Sequence, residues 1–71
     1  MKRYNLYRVH FVDASSVADT ENIGVYCEYG TRNIARDLNT IKDAMGNCRL
    51  IGTPRRYVLE NEIPSDYMLI G

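Results

Sequence analysis

The sequence predicts a small α+β domain: a mainly antiparallel sheet with one amphipathic helix packed on one face. Three observations lead there. Ile34, Leu38, Ile41 and Met45 recur at helical spacing between Gly30 and Gly46. Residues 3–13 and 23–30 alternate with the period of a strand. The segment CRLIGTPRRYVLEN that follows the helix is again rich in strand formers but is broken near its middle by Gly52 and Pro54. Seventy-one residues make one domain, 1–71, near the length at which a single core only just offsets chain entropy. The expected order is β-β-α-β-β, with DYMLIG at the end as a last short strand or a covering segment.

In RYNLYRVHFVD, one face carries Asn5, Tyr7, Val9 and Phe11, and the other Tyr4, Leu6, Arg8, His10 and Val12. The first is the cleaner core face. The second sets apolar residues around a basic pair. ASSVADTEN, residues 14–22, is small, polar and acidic and reads as a connecting loop. IGVYCEYG then places Ile23, Val25, Cys27 and Tyr29 on one side against Gly24, Tyr26 and Glu28. Sequential strands usually lie side by side, so the first two strands should form a hairpin.

For the helix, Thr31 is the expected N-cap, its hydroxyl able to accept from a free N–H of the first turn. Gly46 is placed to supply the left-handed residue that closes the last turn. Beyond it the reading is a short strand at 48–52, a turn at Thr53–Pro54 and a strand at 55–60, the alternative being one long edge strand broken by a bulge. One helix cannot cover both faces of the sheet. The second face must be closed by the chain's own tail or meet another molecule, as a homodimer or with a different partner.

Composition narrows the function classes. Formal net charge is zero, which argues against a general electrostatic nucleic-acid binder. The charge is nevertheless polarised, at minus one over residues 1–30, plus four over 31–56 and minus three over 57–71. No apolar run is long enough to span a bilayer, and MKRYNLYRV lacks the apolar core of an export signal, so the expected location is cytoplasmic and no membrane partner is expected. Cys27 and Cys48 are then reduced thiols behaving as small hydrophobes. Cys27, Cys48 and His10 show none of the usual metal-ligand spacings, and no nucleophile, base and orienting group can be named together. No catalytic residue, cofactor or metal is therefore expected.

Two groups of residues remain as candidate contacts. Six tyrosines with one phenylalanine and no tryptophan suit both strands and interfaces, because tyrosine offers apolar area with a polar tip. Arg32 and Arg36 stand near the helix start, where the dipole disfavours cations, and Arg55-Arg56-Tyr57 forms a second basic cluster. The expectation is a non-enzymatic protein-binding module. It would be a small accessory or inhibitory protein, of the kind phages encode against a host defence or nucleic-acid-handling protein, that works by occupying a partner's surface. Tyr4, Tyr26, Asp19, Glu21, Tyr57, Glu60 and Glu62 are its expected contacts. The alternative is a small nucleic-acid-binding domain using Arg32, Arg36, Arg49, Arg55 and Arg56.

Overall fold

The computed structural model describes residues 2–11, 23–30 and 33–70. They form strands β1 (Arg3–Phe11) and β2 (Ile23–Glu28), helix α1 (Ile34–Met45), strand β3 (Cys48–Leu59), a short 3₁₀ turn (Glu60–Glu62) and strand β4 (Met68–Leu69). The domain is α+β, and its four strands are ordered β3-β1-β2-β4. β1 is antiparallel to both β2 and β3, whereas β4 runs parallel to β2. The expected hairpin is therefore present, and the sheet is antiparallel in two of its three pairings.

The clean face of β1 is the one α1 covers. Tyr7, Val9, Val25, Cys27, Ile41, Cys48 and Ile70 are buried together, with Ile34, Leu38, Met45 and Leu50 packed against them. Both thiols are buried, and burial pushes that of Cys48 above its ordinary range. The helix starts two residues later than expected. Asn33, not Thr31, is the N-cap, its side-chain oxygen accepting from the Arg36 N–H at 2.9 Å. Both are good capping residues, and periodicity does not choose between them. Thr31, Arg32 and the 14–22 loop, with Asp19 and Glu21, lie outside the described residues. Gly46 closes the last turn at φ 103° and donates its N–H to the Lys42 carbonyl at 2.8 Å.

β3 is one continuous edge strand rather than two strands around a turn. Its pairing with β1 runs from Cys48 opposite Phe11 to Leu59 opposite Arg3, and it slips twice, between Ile51 and Arg55 and between Arg55 and Val58. The first slip takes in Gly52 and Pro54. An edge strand tolerates a residue without an N–H, so the ladder resumes beyond Pro54. The two slips, with Arg49, Arg55 and Arg56 along the strand, also protect a long edge from pairing with another chain.

The second face is closed in part by the chain itself. Tyr4, Leu6 and Val58 are buried beneath Ile63 and Tyr67 of the tail, with Tyr26 alongside. A Cβ on Gly24 would stand 2.8 Å from the Tyr67 ring, so the absence of a side chain there lets the tail cross. The tail then joins β2 as β4, and Ile70 donates its N–H to the Tyr26 carbonyl at 2.8 Å. Farther along this face His10 lies opposite Arg49, and Arg8 lies opposite Ile51. Arg8 reaches Asp66 at 3.8 Å and stacks on the Tyr67 ring. No helix among the described residues is long and apolar enough to cross a membrane.

Candidate functional site

The helix-bearing face contains a charged group in its core. Asp37 follows Ile34 by three positions and precedes Ile41 by four, so it lies on the buried stripe of α1, and it is 0 % exposed. Across from it stand Asn5 and Tyr7 of β1, both buried. Asn5 Nδ2 donates to Asp37 Oδ2 at 3.0 Å, and the Tyr7 hydroxyl donates to the same oxygen. Burial of a carboxylate is tolerated only with donors of this kind around it. The Tyr7 phenol is pushed far above its ordinary range, first by burial and then by its hydrogen bond to Asp37 and that group's charge.

Asn5 carries the network outward to β3. Its Oδ1 accepts from the backbone N–H of Tyr57 at 3.2 Å. Tyr57 sits at φ 63°, in the left-handed region. β3 enters that region at Gly52 (φ 70°), where no side chain objects, and again at Tyr57, where a large one does. An L-residue pays roughly 1–2 kcal/mol for this conformation. The second slip of β3 and the hydrogen bond to Asn5 hold it there.

The strained residue presents its ring outward. Tyr57 is 55 % exposed and meets the ring of Tyr29 edge-to-face, centroids 4.9 Å apart and planes at 76°. Tyr29 is itself 38 % exposed. It follows β2 with the parity of Val25 and Cys27, and its N–H donates to the Arg3 carbonyl at 2.8 Å. The Arg3 guanidinium carbon lies 4.6 Å from the Tyr57 centroid, and that of Arg56 lies 5.6 Å from the Tyr29 centroid. Exposed Tyr29, Arg56 and Tyr57 and half-buried Arg3 thus form one cluster at the end of the helix-bearing face, tied through Asn5 to a buried carboxylate.

The expected contact residues fall in several places. Tyr57 is in the cluster. Tyr4 is 7 % exposed and belongs to the core of the second face, where it packs edge-to-face on half-buried Tyr26 at 5.2 Å. Glu60 and Glu62 are exposed on the 3₁₀ turn. Of the arginines, Arg56 stacks on Tyr29, Arg36 is exposed in the first turn of α1, and Arg49 and Arg55 pair opposite His10 and Leu6. Arg49 and Arg55 thus pair with residues of the second face of β1, whereas Arg36 lies on the helix and Arg56 beside Tyr29.

Arg3, Tyr29, Asn5 and Asp37 were not expected at a site. Parity offered a signal for the first two, because Arg3 shares a face with Asn5 and Tyr29 with Cys27. Among the described residues no group of three or more histidine, cysteine, aspartate or glutamate side chains is placed to hold a metal ion. No family model, curated protein or solved structure matches this chain.

Proposed function

We propose that this protein is a non-enzymatic protein-binding module, an accessory or inhibitory protein that acts by covering a partner's surface with the Arg3, Tyr29, Arg56 and Tyr57 cluster. The observation that carries the reading is Tyr57. A bulky residue in the left-handed region persists only where its surroundings impose it, and such residues concentrate at functional sites. Here a buried network of Asp37, Asn5 and Tyr7 lies behind that conformation, and what it displays is an exposed aromatic ring. Tyrosine and arginine are the residue types that dominate binding energy at protein interfaces. A ring already held in place loses little rotamer freedom on docking, so the ordering penalty of association is met in the fold.

The test is affinity capture from cells that make the protein, with the wild type, Tyr29→Ala/Tyr57→Ala and Lys42→Ala as parallel baits. Lys42 is exposed on α1, away from the cluster. A protein retained by the wild type and by Lys42→Ala but lost from the double variant is the expected result. Equal retention by all three baits, or none by the wild type, overturns the reading.

A further inference from the structure

We infer that the cluster takes carboxylates, so that the partner surface it fits is an acidic segment of another protein. This rests on the protein-binding reading above and adds its chemistry. The guanidinium carbons of Arg3 and Arg56 lie over the Tyr57 and Tyr29 rings, contacts that restrict where each head group sits. Among the described residues the ion pairs are Lys2 with Glu28 and Arg8 with Asp66, and neither Arg3 nor Arg56 takes part in one. Glu60 and Glu62 follow β3 directly in the chain, yet neither forms an ion pair with these arginines. Arg3 Nη1 lies 3.5 Å from the Tyr57 carbonyl, a contact that orients the fork without neutralising it. Two pre-positioned guanidinium forks beside two tyrosines match the geometry of carboxylates, which accept paired N–H donors.

The same geometry speaks against single-stranded nucleic acid. Successive bases stack on rings with open faces, in similar orientations. Here the rings stand at 76° to one another, and each has a guanidinium over it. The two rings, though exposed, therefore offer no pair of parallel faces on which successive bases could stack.

The experiment is an NMR titration of the full chain at low salt with a blocked hexaglutamate peptide, and in parallel with hexalysine and a six-nucleotide oligothymidylate. Hexaglutamate is expected to shift the Nε–H signals of Arg3 and Arg56 and the rings of Tyr29 and Tyr57. Arg3→Gln/Arg56→Gln should weaken it about tenfold, the loss of charge-assisted hydrogen bonds. Arg49→Gln, which removes an exposed charge from the other face, should leave it unchanged. Equal affinity in the double variant, shifts centred on other residues, or tighter binding of the oligothymidylate at the cluster would each overturn the inference. If hexaglutamate fails while capture still depends on Tyr29 and Tyr57, the acidic chemistry is wrong and the protein-binding reading stands. If capture also fails, that reading falls with it.

Discussion

The two faces of this sheet are closed in different ways, and the difference shows where the molecule commits to something beyond folding. The helix-bearing face encloses Asn5, Tyr7 and Asp37, an ionisable network inside an otherwise apolar core. The tail-bearing face is closed in part by Tyr4, Leu6, Val58, Ile63 and Tyr67, with Arg8 and Asp66 at the rim. Where the tail covers the second face, the packing is carried by apolar and aromatic side chains without a buried charge. A buried carboxylate is not needed for that, and replacing such groups by apolar ones is often neutral or stabilising in other proteins. On the first face the carboxylate instead belongs to the chain of contacts that ends at the strained, exposed Tyr57.

The largest effect should come from the helix side. Ile41→Ala removes a fully buried side chain and should cost about 2–5 kcal/mol in urea denaturation, whereas Ile63→Ala, half-buried on the tail, should cost clearly less. Equal losses would erase the contrast between the faces. Asp37→Leu leaves the Asn5 amide and the Tyr7 hydroxyl without their buried acceptor and should cost about 3 kcal/mol, even though it adds apolar volume. On the tail side, Gly24→Ala drives a methyl into the Tyr67 ring and should cost about 1–3 kcal/mol, visible as a lowered urea midpoint.

A smaller effect depends on pH. The folded state holds the Tyr7 phenol protonated well beyond its ordinary range, so the unfolded chain loses that proton first. The stabilisation is fully present below about pH 10 and declines above it, by about 1.4 kcal/mol per pH unit for this one group. Tyr7→Phe should make the alkaline fall in stability shallower by that slope. The smallest effect is Asp66→Asn at the exposed rim, expected below about 0.5 kcal/mol in the same denaturation assay. Asp37 and Asp66 are the same chemical group, and their environments separate the consequences.

Much of the fold was legible in the sequence for physical reasons. The four-residue and three-residue spacings from Ile34 to Met45 admit only one helical face, and the alternation of β1 identifies its core side, Asn5 included. The path of β3 was less legible, since Gly52 and Pro54 read as a break while the edge position that lets pairing resume is a tertiary property. The parallel pairing of β4 likewise depends on the tail crossing a whole face, which no local pattern encodes. The charge of Asp37 suggests exposure, although its spacing from Ile34 and Ile41 puts it on the buried stripe opposite Asn5. Two polar residues on facing core stripes were the readable sign of the network. The conformation of Tyr57 has no local signature, because it arises from a slip in register and a hydrogen bond to a residue 52 positions away.

The hydrogen bond from Tyr57 to Asn5 joins the exposed cluster to the buried network, and amide hydrogen exchange at Tyr57 measures that link directly. In the wild type the Tyr57 N–H should be protected although its ring is exposed, and in Asn5→Ala the protection should fall at Tyr57 while the amides of Val9 and Val25 keep theirs. The nuclear Overhauser contact between the Tyr29 and Tyr57 rings should weaken in the same variant. Unprotected Tyr57 exchange in the wild type, or an unchanged ring contact in Asn5→Ala, would show that the cluster does not depend on the buried carboxylate and its partners.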